Sequence, residues 1–169
     1  MANLTARPQM SFMEAVKTCF KKYATFSGRA RRSEFWWFQV LNWILYAAMY
    51  GLMAWKMSVK ADIESQVAGA LFDEDKMNAL MAQAESFDST WMIFLCIIGI
   101  IGLFLLLPAL GVLVRRLHDI GKKGWIILLC LIPLVNIVVG LIIFIWTLKD
   151  SDPATNQFGP SPKYISDEV

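Results

Sequence analysis

The residues able to do chemistry gather at two places. One is the run Arg115, Arg116, Leu117, His118 and Asp119, followed by Gly121, Lys122, Gly124 and Trp125. The other is Arg29, Arg31, Arg32 and Glu34, set directly before Phe35, Trp36 and Trp37. Paired arginines can hold phosphate oxygens bidentately. Arg29, Arg32, Arg115, Arg116, His118 and Lys122 therefore form a candidate set for an anionic lipid headgroup or a phosphate-bearing ligand. His118 beside Asp119 resembles the dipeptide of metal phosphohydrolases, but with a single histidine in the chain no metal site is assigned. No serine or cysteine nucleophile with a positioned base is visible, and no glycine-rich phosphate loop, so neither a catalytic residue nor a cofactor is assigned.

A plainer reading is a stop-transfer charge cluster and a turn. It explains the arginines and lysines, since any order of basic residues would serve. It does not explain the histidine, the aspartate after it, or the acid at position 34. Glu34, Asp119, Gly121, Gly124 and Trp125 are accordingly read as parts of a structural network whose charged members satisfy one another, with ligand binding left open beside it. An unpaired carboxylate at the edge of a hydrocarbon layer is costly to desolvate. Glu34 is thus expected to pair with Arg115 or Arg116, and Asp119 with Arg29 or Arg32. Arg115 and Asp119, four apart, can also face each other on one helical turn. Gly121 and Gly124 let the chain reverse, and Trp125 anchors the next apolar block.

These clusters are positioned by elements that do not belong to a soluble domain. Of 169 residues, 57% are hydrophobic and only 18% charged, against roughly 25% charged in soluble proteins. Three stretches carry no charge: 35–55, 91–114 and 125–148. Each exceeds the roughly 18 residues expected of a membrane-spanning helix. Tryptophans sit at their ends (Trp36, Trp37 and Trp55; Trp91; Trp125 and Trp146), as in an interfacial belt. The first block starts too late and runs too long for a cleaved signal peptide and reads as a signal anchor. Net charge +2 gives no footprint for nucleic acid. Three scattered cysteines make no disulfide framework.

Lysines and arginines number seven before the first block, three in 56–90, four in 115–124 and two after 148. With three spans, the positive-inside rule places the N-terminus in the cytoplasm and the C-terminus outside. Pro133, Asn136 and Gly140 interrupt the third block, and a re-entrant hairpin there would return the tail to the cytoplasm. Asn136, near mid-block, is expected to make an interhelical hydrogen bond. Ala47 with Gly51, and Gly99 with Gly102, offer small faces for close helix contact. Pro108 and Pro133 should kink or loosen their helices.

Residues 11–24 read as an amphipathic helix opened by a capping box of Ser11 and Glu14. Its apolar face is Phe12, Val16, Cys19, Phe20 and Tyr23, with Cys19 packed rather than reactive, and Lys17, Lys21 and Lys22 lie off it. It lies in the anionic interface or packs on the protein's own spans, and the two are compatible. In 56–90 the stripe Ile63, Val67 and Leu71, then Met77, Leu80, Met81 and Ala84, predicts one or two extracytoplasmic amphipathic helices. The 149–169 tail, with Pro153, Gly159, Pro160 and Pro162, reads as a flexible, turn-rich segment.

The stretches FSGRARRSEFWWF (26–38) and RRLHDIGKKGW (115–125), with NQFGPSP near the end, resemble the bacterial "domain of unknown function 805" family of small inner-membrane proteins. The resemblance runs from about Ser11 to Pro162. Lys123 replaces a small polar residue there, Ile126 a frequent second tryptophan, and the tail lacks the family's glycine-rich approach. The resemblance implies a fold and a bacterial inner-membrane location, and the family carries no agreed biochemical activity. The expected fold is an all-α membrane bundle of three spans with a cytoplasmic interfacial helix. The leading function is a non-enzymatic module presenting a basic cytoplasmic face to anionic lipid or a protein partner, alone or as a homo-oligomer. Alternatives are an oligomeric transporter or channel component, and a small membrane enzyme acting on a phosphorylated lipid.

Overall fold

The structure, a computed structural model, describes residues 4–70 and 72–166; Leu71 of the expected stripe lies outside them. In chain order it holds strand β1 (Leu4–Ala6), helices α1 (Phe12–Lys21), α2 (Arg32–Gly69) and α3 (Glu74–Asp119), a 3-10 helix (Gly124–Leu131), helix α4 (Val135–Leu148) and strand β2 (Tyr164–Ser166). The chain is mostly helical. Among the described residues α3 is the one helix both long and apolar enough to cross a membrane. It runs unbroken past Pro108 and contains the second uncharged block. Two compact units are built on these elements: Asn42–Phe104, and the residues on either side of it.

In the Asn42–Phe104 unit, Trp55, Phe87, Trp91 and Phe94 form an aromatic cluster with ring centroids 5.6–6.4 Å apart. Lys56 and Lys60 both pair with Asp88, at 3.1 and 3.2 Å. The 56–90 segment is not a pair of separate helices. Most of it continues α2 and α3, which meet at a turn where the Asp73 side chain accepts the Lys76 amide at 3.0 Å. Gly51, Gly99 and Gly102 have open space where a Cβ would sit, so the expected close helix contacts at these small residues are not made.

The other unit carries both polar clusters. Helix α1 begins with the capping box: Ser11 Oγ accepts from the Glu14 amide at 3.4 Å, and Glu14 Oε2 from the Ser11 amide at 2.9 Å. Its apolar face packs on the protein itself. Cys19 is buried with Ala30, Phe35, Phe38 and Val112, and Phe20 meets Phe38 edge-on at 5.9 Å. The chain leaves α1 through Gly28, whose φ of 84° suits a residue without a Cβ.

The third uncharged block is not a continuous spanning helix. Pro133 removes an amide from the ladder, and Leu134 adopts a φ of 68°, which costs a side-chain-bearing residue about 1–2 kcal/mol. The block is therefore split into a 3-10 run of 8 residues and an α4 of 14. At about 2.0 and 1.5 Å per residue these reach roughly 16 and 21 Å, against a hydrocarbon core of about 30 Å. Both ends of the block also return to one place. A Cβ on Gly124 would lie 2.7 Å from Val114, and Arg116 donates to the carbonyls of Thr147 and Lys149. Asn136, on the exposed first turn of α4, makes no side-chain hydrogen bond among the described residues, so the interhelical bond expected of it is absent.

The two ends of the chain meet. β1 and β2 pair antiparallel, with Thr5 opposite Ile165, and the Arg7 amide extends the ladder to the Lys163 carbonyl at 2.8 Å. Paired strands lie on one side of any membrane, and this pairing does not fit a cytoplasmic N-terminus with an extracytoplasmic C-terminus. Nor is the tail a free appendage. Its turn closes on itself through the Asn156 and Gly159 backbones and docks against the end of α3.

Candidate functional site

The end of α3 is stopped by a glycine. Lys122 N–H bonds the Leu117 carbonyl at 2.9 Å and Gly121 N–H the His118 carbonyl at 3.0 Å, with Gly121 at a φ of 72°. This is a Schellman turn, which needs a left-handed residue just past the helix. The turn holds Arg115, Arg116 and Asp119 in the interior, where all three are fully buried.

Asp119 is the hub. Its Oδ1 accepts from Arg29 Nε at 2.9 Å and its Oδ2 from Arg116 Nη1. Arg29 has an acceptor for each of its five N–H groups: Asp119 Oδ1, the Asp119 carbonyl at 3.1 Å, Ala154 at 2.7 Å, Gly159 at 3.2 Å and Asp152 at 2.5 Å. Arg116 gives its Nε and Nη2 donors to the carbonyls of Thr147 and Lys149 at the end of α4. Those carbonyls have no partner within their own helix, and a cation there also meets the negative end of the dipole. Arg115 does the same for the exit from α1. It donates to Lys22 at 3.2 Å and Thr25 at 2.5 Å, and pairs with Glu34 Oε1 at 3.1 Å. Its own carbonyl accepts the Ala30 amide at 2.9 Å. Three arginines thus serve three places where the backbone turns.

Both ion pairs read from the sequence are present, Glu34 with Arg115 and Asp119 with Arg29. Asp119 takes Arg116 as its partner on α3, three residues away, rather than Arg115 at four. The reason is that Arg115 turns toward α1 and Glu34. His118 joins the cluster through Nδ1 and the ring face. Its Nδ1 lies 3.2 Å from the Gly28 carbonyl, so that nitrogen carries the proton, and its ring stacks on Phe158 at 3.8 Å with planes 4° apart. Asn156 Nδ2 donates to the His118 carbonyl at 2.9 Å. Gly124 is needed because a Cβ there would lie 2.7 Å from the Val114 side chain and 3.4 Å from His118 Nε2.

Of the other expected members, Lys122 is exposed and lies over the Trp146 ring at 5.1 Å, and Trp125 is exposed at the start of the 3-10 helix. Neither joins the cluster, and neither does Asn136. Arg32 is exposed and lines a cleft of about 620 Å³ with Arg7, Arg31, Ser33, Ser151 and Lys163 among its walls. Asp150, also on that wall, pairs with Lys163 at 2.5 Å, and this hydrogen bond holds its carboxyl below the usual carboxylate range. Sequence reasoning missed Asn156, Phe158 and Thr147 of the network and Arg7, Ser151 and Lys163 of the cleft. In the first group, the NQFGPSP stretch was the signal for Asn156 and Phe158, whereas Thr147 enters through its backbone carbonyl, which carries no sequence signal. For the second there was none, because strand pairing brings position 7 beside position 163.

The family model described as "Protein of unknown function (DUF805)" matches residues 23–160, which include every member of the Arg29–Arg115–Arg116–His118–Asp119 cluster and the tail that closes it. The chain belongs to this family. Among its curated relatives is the inner membrane protein YhaH of Escherichia coli K12, 33% identical over 144 residues that cover 85% of this chain and 91% of the relative. Another is the inner membrane protein YhaI of the same organism, 27% identical over 154 residues, 91% of this chain and 99% of the relative. No solved structure matches the chain. This DUF805 protein is thus an inner-membrane protein with a buried polar network at its core, and all three fully buried arginine and aspartate side chains fall inside the matched segment.

Proposed function

We propose that this DUF805 protein is a non-enzymatic inner-membrane module with both termini in the cytoplasm, where it presents a basic face to anionic lipid. The observation that carries this reading is the engagement of the buried arginines. Arg29 has no donor to spare, and Arg115 and Arg116 give most of theirs to backbone carbonyls and carboxylates, Arg115 Nε alone of the three guanidinium groups' ε nitrogens having no partner among the described residues, so most of what an enzyme would need for a phosphate is committed to the fold. Cations left for a partner include Arg7 and Arg32, which make no ion pair among the described residues, and the exposed Lys17, Lys21, Lys123 and Lys149.

Charge distribution supports the orientation. Because the termini share one side with the 115–124 cluster, 13 of the 16 lysines and arginines fall on that side and three, in 56–90, on the other. The same arrangement calls for two crossings, α3 and with it α2, which is long enough and uncharged over 35–55 though less apolar than α3, with 124–148 dipping into the bilayer and returning. Lipids co-purified with the full-length protein from bacterial membranes test the functional reading. Phosphatidylglycerol and cardiolipin should be enriched relative to the membrane from which the protein was extracted. Recovery in bulk proportions would sink the reading.

A further inference from the structure

The cleft beside Arg32 has the features of a ligand site rather than a surface irregularity. Ser151 is buried, 4% exposed, and among the described residues its Oγ has no hydrogen-bond partner; Ser33 Oγ, which lines the same cleft, has none among them either. A buried hydroxyl left unpaired is costly, and such groups are rare unless something else satisfies them. Both hydroxyls line the same cleft as Arg7 and Arg32. Arg32 and Ser33 open α2, where the helix dipole is positive. Arg31 spends its guanidinium on the carbonyls of Pro8 and Arg7, and the one acid on the wall, Asp150, is neutralised by Lys163. Two hydroxyl donors and two guanidinium groups with no ion pair among the described residues thus line one cleft, whose single carboxylate, Asp150, is paired with Lys163 and also feels the Arg32 charge.

The remaining wall is apolar. Trp36, Trp37 and Val40 continue from Ser33 along α2, at the start of its uncharged block. A ligand filling this cleft would set an anionic group against Arg32, Arg7, Ser33 and Ser151 and an apolar body against the indoles. Resting on the reading of a basic face turned to anionic lipid, we infer that the cleft is a discrete site for a phosphate-bearing ligand, with the phosphate bound by Arg32, Arg7 and the hydroxyls of Ser33 and Ser151. The phosphate recognised is that of an anionic phospholipid headgroup or of a free phosphate monoester, and the Trp36–Trp37 wall suits the former.

The test uses the full-length protein in a neutral detergent, with thermal unfolding followed while short-chain phosphatidylglycerol, short-chain phosphatidylcholine, glycerol 3-phosphate or inorganic phosphate is titrated. Phosphatidylglycerol should raise the midpoint saturably and phosphatidylcholine should not. Arg32→Gln should weaken the apparent affinity at least about tenfold, the scale of one charge-assisted hydrogen bond. Ser151→Ala should leave the ligand-free midpoint within about 2 °C, since the hydroxyl it removes has no partner, and weaken phosphatidylglycerol about three- to tenfold. Glycerol 3-phosphate or inorganic phosphate acting as strongly as the lipid would assign the site to a free phosphate. Weak competition by either would assign it to the headgroup. A phosphatidylglycerol response unchanged in both variants would overturn the site while leaving the basic-face reading intact. No response of the wild type to any phosphate-bearing probe would overturn the site as well, and the co-purified lipids would then decide the broader reading separately.

Discussion

Replacing Asp119 with asparagine removes one negative charge from between two guanidinium groups. The side chains of Arg29, Arg116 and Asp119 are 1%, 0% and 0% exposed, so water cannot screen what is left. Breaking a buried ion pair by deleting one partner costs about 3–5 kcal/mol, because the other charge is stranded. Here one carboxylate serves two arginines, and asparagine turns one of its acceptors into a donor facing a donor. Arg29 and Arg116 keep their bonds to backbone carbonyls, which limits the loss, so we expect about 4 kcal/mol. For a chain of this size each 1 kcal/mol moves the midpoint by about 2–4 °C, giving a fall of roughly 10–15 °C. Thermal unfolding of the detergent-solubilised protein measures it, with Arg32→Gln as the control for removing an exposed charge. Trypsin supplies a second reading. Arg29 holds the carbonyls of Asp152, Ala154 and Gly159, so a weakened cluster should speed cleavage after Lys163. A fall no larger than that of Arg32→Gln, with unchanged proteolysis, would refute the claim that Asp119 closes the network.

Other outcomes depend on single contacts. Gly124→Ala should destabilise by about 1–3 kcal/mol, since its Cβ would meet the stiff Val114 side chain at 2.7 Å, and adding Val114→Ala should recover most of the loss in the same melting assay. Burial pushes the Cys19 thiol up to about 12, with the Glu34 carboxylate adding to the shift. In a protein lacking Cys96 and Cys130 it should therefore resist iodoacetamide at pH 8 until unfolded, and rapid labelling of the native protein would contradict the packing of α1. The Asp150 carboxyl is lowered and the Lys163 ammonium raised by their mutual hydrogen bond. The stability they contribute is present between the two ordinary ranges, lost as pH falls through the lowered carboxyl and lost again as pH rises through the raised ammonium. The pair is half-exposed, so its share is under about 1 kcal/mol, and Asp150→Asn should flatten both edges of the melting profile by that much.

The pairing of Glu34 and Asp119 with arginines was legible because an acid beside a hydrocarbon layer must be neutralised, and few cations are near enough in a helical hairpin. The identities of the carbonyls were not legible. Arg115, Arg116 and Arg29 serve backbone groups at the ends of α1 and α4 and in the tail, and a carbonyl carries no sequence signal. The third block misled for a related reason. Its composition is uniformly apolar, and composition does not record that Pro133 and a left-handed Leu134 divide it into pieces too short to cross. The tail was underread because Pro153, Pro160 and Pro162 look like disorder, whereas Asn156 and Phe158 tie it to His118. The cleft was invisible, since Arg7 and Lys163 are brought together only by the pairing of β1 with β2.

The pairing of β1 with β2 predicts that the two ends of the chain lie on the same side of the membrane, and their accessibility can be measured directly. Single cysteines at Thr5→Cys and Ile165→Cys, each in a cysteine-free background, can be probed with a membrane-impermeant maleimide in cells whose outer membrane has been opened. Because Thr5 and Ile165 are opposite each other in one antiparallel ladder, both should stay unlabelled while the inner membrane is intact and both should label once it is breached. One terminus labelled from outside and the other only after breaching would contradict the paired strands, and with them the network that holds the tail against α3.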